Sequence, residues 1–120
     1  DKLKELNQTY GYQSGDNIIQ VVAQNLQENI RKTDFIARAT ISDFVLLLPE
    51  LSRQQTTAVL DKLSNNLRVF DFEFINQAVV TLSLGATEFK AGDDVSSGIR
   101  RAEKALSIAL SRGGNCSHSF

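Results

Sequence analysis

Methionine and tryptophan are absent from these 120 residues, and cysteine, histidine and proline occur once each. With Cys116 and His118 as the whole supply, neither a disulfide framework nor a cysteine/histidine zinc cluster can be built. Long apolar runs are missing too. Nothing approaches the roughly 20 residues that span a bilayer, and no signal-peptide pattern is visible. Neither sign of charge dominates: thirteen basic against fourteen acidic residues leave −1, without the basic surplus of a nucleic-acid footprint. The lack of methionine leads to the expectation of one domain, residues 1–120, excised from a longer polypeptide. A 42% hydrophobic and 22% charged composition suits a single globular core of this length.

What is present reads as an alternation of helices and strands. Leu3 to Asn7 suggests a short helix, followed by a polar turn from Gln8 to Ser14. Ser14 and Asp16 suit the start of a second helix, as a hydroxyl cap and an acid in the first turn. Ile18, Val22, Leu26 and Ile30 recur every four residues, so one face is buried. Phe35–Ala39 and Asp43–Leu48 read as two strands joined by a short tip, the second apolar without alternation, as for a strand covered on both faces. Ser52–Leu67 reads as a third helix. Phe70, Phe72 and Phe74 alternate with acids as a half-buried strand, and Ala78 to Ala86 is the clearest strand of all. Ile99, Ala102, Leu106 and Ala109 predict one face of a last helix, which Gly113-Gly114 ends before a final edge strand. Ile18, Val22, Leu26, Leu46, Leu82 and Leu106 are expected to share one core. The order of elements predicts an α+β plan with a mainly antiparallel central sheet, its first strand missing from this chain.

The tip, Thr40-Ile41-Ser42, carries the chemical question. A tight loop meets a triphosphate through its backbone only where side chains do not obstruct, and glycine allows this cheaply. Two β-branched residues and a serine predict obstruction there and a thin ligand set for a divalent ion.

The flanks of this tip, Arg31 to Ala39 and Phe44 to Glu50, resemble those around the Gly-Gly-Asp/Glu-Glu-Phe loop of GGDEF domains, the diguanylate cyclases that condense two GTP into cyclic di-GMP. Thr40-Ile41-Ser42-Asp43-Phe44 stands where that loop would be. The resemblance extends through Asp1 to Tyr12, Ser14-Gly15-Asp16, Val80 to Gly85 and Arg101 to Asn115. It implies a degenerate GGDEF domain with a nucleotide-cyclase palm-like fold. Asn7 and Asp16 match the family's guanine-reading pair, and Lys4 its lysine, whereas Leu110 and Gly114 fall where it has phosphate-binding cations.

On that basis the domain is expected not to be an enzyme, with no catalytic residues, no metal and no cofactor. Arg31 and Asp34 form an Arg-x-x-Asp five residues before the tip, where the resemblance puts the family's inhibitory cyclic di-GMP site, with Lys62 as an added cation. Two readings of Arg31 and Asp34 stand. Either they bind cyclic di-GMP, or Arg31 compensates a helix end and Asp34 bonds the following turn. The expected function is a cyclic di-GMP receptor in signal transduction. The alternative is a ligand-free dimerising module for an attached domain such as an EAL phosphodiesterase. Nucleic acid and direct membrane contact are not expected, and the location implied is cytoplasmic.

Overall fold

The structure, a computed structural model, describes residues 1–70 and 80–120. Among them the order is α1 (Leu3–Tyr10), α2 (Tyr12–Glu28), β1 (Phe35–Arg38), β2 (Phe44–Leu47), α3 (Arg53–Arg68), β3 (Leu84–Ala86), α4 (Val95–Ser111) and β4 (Ser117–Ser119). Phe72, Phe74 and the start of the expected Ala78 strand lie outside the described residues.

The first two helices correct the sequence reading. α1 runs on to Tyr10, and Gly11 alone, at φ 91°, separates it from α2. Its N–H donates to the Asn7 carbonyl at 2.8 Å. Glycine adopts this backbone without steric cost, so one residue replaces the predicted seven-residue turn. Ser14 therefore lies inside α2 and caps nothing. α3 begins as its sequence dictates: the Ser52 hydroxyl accepts from the Gln55 N–H, and the Gln55 side chain accepts from the Ser52 N–H. Such a capping box satisfies two orphan donors at once.

The α2 stripe is buried as expected, with Ile18, Val22 and Leu26 at 4% exposure or less. It meets Leu63 and Leu67 of α3, together with Val80, while Leu46, Leu82, Phe44 and Ile36 pack against the edge of this core. Each large aliphatic side chain so buried contributes about 1.5–3 kcal/mol. Leu106 does not join. It is half-buried, and α4 instead buries Gly98, Ala105 and Ala109. The cause is close approach: a β-carbon at Gly85 would lie 2.2 Å from the Leu106 nitrogen and 2.3 Å from the Ala102 carbonyl oxygen. Small residues on α4 let its backbone settle onto β3.

β1 and β2 pair antiparallel, Phe35 opposite Leu47 and Arg38 opposite Phe44. β3 and β4 pair parallel, Leu84 opposite Ser117, with α4 as the crossover that a parallel pair requires. β2 is not covered on both faces as its apolar run predicted. Leu47 is 42% and Phe35 65% exposed, because this cross-strand pair sits on the outward face of the hairpin.

Candidate functional site

A cleft of about 350 Å³ opens between the start of α1, the β1–β2 tip, residues 80–83 and α4. Lys2, Lys4 and Glu5 line it from one side, Ser42 and Asp43 from the tip, and Leu106 and Leu110 from α4. Leu110, expected where a phosphate-binding cation would stand, does face this cleft and is 53% exposed. Gly114 lies past the end of α4 at φ 76°. The cations of the cleft are instead Lys2 and Lys4.

The tip closes without a left-handed residue: Lys2, Glu50 and Asn115 are the non-glycine residues at positive φ among those described. The Asp43 carbonyl accepts from the N–H groups of Ala39 and Thr40 at 2.9 and 3.4 Å. Arg38 braces the loop from below, donating Nε to the Thr40 carbonyl at 3.1 Å and Nη2 to the Ile41 carbonyl. Ile41 is 74% exposed, and neither it nor Thr40 lines the cleft. No residue of the tip takes a positive φ, so no glycine-only backbone is needed to close it.

Asn7 and Asp16 sit on consecutive helices. A β-carbon at Gly15 would fall 1.6 Å from Asn7 Oδ1, so the amide occupies the space that glycine leaves. That oxygen is buried and accepts no hydrogen bond from the described residues, a situation that costs roughly 1–3 kcal/mol and calls for a cause. Asp16, one residue on, is exposed.

Arg31 and Asp34 are brought together closely. Asp34 Oδ1 accepts from Arg31 Nη2 at 2.6 Å and Nε at 3.1 Å, and Oδ2 accepts from the Arg31 backbone N–H at 2.7 Å. Arg31 Nη2 also donates to the Pro49 carbonyl at 2.6 Å. Hydrogen bonding to the guanidinium holds the Asp34 carboxyl below its ordinary value and raises that of Arg31. Arg31 does not cap α2, which ends at Glu28. Lys62 lies in the third turn of α3, roughly 14 Å along the axis from Arg53 at 1.5 Å per residue, and makes no ion pair with Asp34 among the described residues.

Several anchoring residues escaped the sequence reading. The Asp1 carboxylate accepts from the Thr81 and Ser83 hydroxyls at 2.8 and 2.6 Å and from the Asn115 N–H at 3.0 Å. Arg101 donates Nη1 and Nη2 to Asp93 at 3.0 and 2.7 Å and Nε to Thr87 at 2.8 Å. Such pairings between distant segments leave no local pattern to read. The Cys116 thiol is bonded to the Ala109 carbonyl, and His118 packs edge-on against Phe120. No group of three or more His, Cys, Asp or Glu converges as a metal site among the described residues. No described helix is long and apolar enough to cross a membrane.

The family model "Diguanylate cyclase, GGDEF domain" matches residues 1–116. Diguanylate cyclase DosC of Escherichia coli is 32% identical over 117 residues, spanning 96% of this chain and 25% of that protein. The chain thus corresponds to about a quarter of its relative. The GGDEF domain of DgcB from Caulobacter crescentus, solved in complex with c-di-GMP, superposes with a TM-score of 0.93 at 25% identity, covering 99% of this chain and 72% of that one. Diguanylate cyclase SiaD of Pseudomonas aeruginosa, solved with its activator SiaC, gives 0.91 at 27% identity, covering 100% and 46%. These findings bear out the expected fold. They overturn the expectation that the domain is not an enzyme: the matched family and relatives are named for diguanylate cyclase activity.

Proposed function

The chain belongs to the GGDEF family, and from that premise we propose that it handles guanine nucleotides in cyclic di-GMP signalling at two places. Cyclic di-GMP binds at the Arg31 turn, beside the tip hairpin. The cleft between α1, the tip and α4 takes a GTP-class nucleotide. The observation that carries the reading is the exposed guanidinium of Arg31, held by both carboxylate oxygens of Asp34 at 2.6 and 3.2 Å, because a fixed arginine is suited to a phosphate diester. Lys62 adds positive charge on α3.

The cleft has the chemistry for a triphosphate. Lys2 and Lys4 supply positive charge, and Glu5 and Asp43 supply carboxylates. A divalent ion accompanying phosphates needs only one or two carboxylates beside the phosphate oxygens. The relatives' names support enzymatic activity in this cleft, and DgcB's bound c-di-GMP supports recognition of the dinucleotide by the fold.

Calorimetric titration with cyclic di-GMP tests the first place, and incubation with GTP and magnesium, with product detection, tests the second. Arg31→Ala is expected to lower dinucleotide affinity roughly tenfold to hundredfold, and Ser42→Ala to leave it unchanged. Equal losses from both variants would move the dinucleotide into the cleft. No binding by the wild type at high micromolar ligand would favour a module that positions an attached domain.

A further inference from the structure

Asp1 lines the cleft in the company of Glu5 and Asp43, which invites the reading that its carboxylate holds a divalent ion there. The hydrogen bonds argue for another duty. Oδ1 accepts from the Ser83 hydroxyl at 2.6 Å, and Oδ2 accepts from the Thr81 hydroxyl at 2.8 Å and the Asn115 N–H at 3.0 Å. The Asp1 nitrogen adds a bond to the Thr81 carbonyl at 2.8 Å. Of the about four lone-pair sites of a carboxylate, protein donors fill three. The carboxylate is turned to the protein.

The backbone on both sides of this carboxylate is strained. Lys2, Glu50 and Asn115 are the non-glycine residues at positive φ among those described, and two of them adjoin Asp1. Lys2 follows it in the chain at φ 57°, and Asn115 donates to it at φ 52°. Such residues persist only where the surroundings over-determine them. Lys2 is held from behind by Asp1 and from ahead by its own carbonyl, which accepts from the Leu6 N–H at 3.0 Å in the first turn of α1. Asn115 is gripped from the far side by Arg68, the last residue of α3. Arg68 donates Nε to Asn115 Oδ1 at 2.9 Å and Nη2 to the Asn115 carbonyl at 3.3 Å. The chain therefore enters α1 from a fixed point, and Lys2 and Lys4 leave that point on the wall of the cleft.

We propose that Asp1 is a positioning residue for the cleft: it gathers the Thr81 and Ser83 hydroxyls and the Asn115 N–H on one carboxylate, and the backbone so anchored sets Lys2 and Lys4 toward the ligand. This rests on the reading that the cleft takes a GTP-class nucleotide, and adds what holds its cations in place. Two consequences separate it from metal ligation. The contribution of Asp1 to nucleotide affinity does not depend on magnesium, and it passes through its bonds to Ser83, Thr81 and Asn115.

The experiment titrates the whole chain with GTP by calorimetry, once with magnesium and once with EDTA. Asp1→Asn is expected to weaken GTP by the same factor in both, roughly threefold to thirtyfold. Ser83→Ala is expected to weaken it less and to add nothing in the Asp1→Asn background. Where Asp1→Asn does not fold, Ser83→Ala alone carries the magnesium comparison. In ligand-free NMR spectra the Lys2 and Lys4 amide signals should move in both variants, with the dispersion of the fold retained. A loss confined to the magnesium titration would make Asp1 a metal ligand and overturn positioning. Losses that add in the double variant, or Lys2 and Lys4 signals that stay in place, would overturn it too. An Asp1→Asn protein that melts earlier yet binds GTP like the wild type would reduce Asp1 to an anchor of the fold. A wild type that binds no GTP, while the amide signals still move in Asp1→Asn, would sink the nucleotide reading of the cleft and the proposal with it.

Discussion

The amide oxygen of Asn7 lies 1.6 Å from the point where a β-carbon on residue 15 would be built. Gly15 thus does not serve α2 by flexibility; it leaves a socket for a side chain of α1. Among the described residues the socket gives the oxygen no partner, so there Asn7 is held by shape.

Gly15→Ala should therefore have opposed effects. Alanine favours a helix over glycine by up to about 1 kcal/mol, while the displaced Asn7 amide takes some of that back. Thermal unfolding is expected to show a net change within about 1 kcal/mol. Affinity for GTP should fall as far as in Asn7→Ala, and combining the two should restore stability but not binding. A Gly15→Ala protein that binds GTP like wild type would show that the Asn7 amide is irrelevant to the nucleotide.

Gly85→Ala meets backbone, not a movable side chain, at 2.2 and 2.3 Å. Overpacking of that kind costs about 1–3 kcal/mol and occasionally more, and with α4 unable to yield we expect the upper end. Denaturant midpoints measure it directly. A loss below about half a kcal/mol, the range of a neutral surface change, would mean that α4 does not rest on β3 as described.

The core and the cleft should separate in a pair of leucines. Leu63 is fully buried, so Leu63→Ala should cost about 2–5 kcal/mol. Leu106 lines the cleft and is half-buried. Leu106→Ala should cost clearly less, since its removal enlarges a space already open to water. Equal losses in urea titrations would return Leu106 to the core.

Acid should loosen the loop before α4. The Arg101 guanidinium, then the Lys90 N–H and the Ser97 hydroxyl, hold the Asp93 carboxyl well below the usual carboxylate range, and Arg31 depresses Asp34 likewise. With folded values below unfolded ones near 3.9, the unfolded chain takes up these protons first. The stability they contribute is complete at neutral pH and is lost as pH falls from about 5 through the folded values. Asp93→Asn should flatten that acid dependence in urea titrations between about pH 5 and pH 2. An unchanged slope would show that the Arg101 pair does not couple to folding.

Where stability rests on local pattern, the sequence was legible. The four-residue recurrence of Ile18, Val22 and Leu26 fixed the buried face of α2, and the third helix was read to within a residue of its observed bounds. The hairpin and the helix stop at Gly113 were equally readable. The face of α4 was not, because Gly98, Ala105 and Ala109 bury themselves by smallness, which a search for large apolar residues passes over. The extra length of α1 was hidden too, since Gln8 and Thr9 look like a turn until α2 packs alongside. At the candidate sites it was the family resemblance that pointed to Arg31, Asp34, Asn7, Asp16 and Lys4. Only the fold shows that Asp34 is bonded to Arg31 and that the tip needs no glycine.

The bond between the Asp1 carboxylate and the Asn115 N–H also bears on how the domain comes apart. Asp1, the Thr81–Ser83 segment and the turn leading into β4 share one carboxylate, so the two later segments are tied through a side chain far from both in sequence. Hydrogen exchange at Asn115, Leu84 and Ala86 should then quicken together in Asp1→Ala.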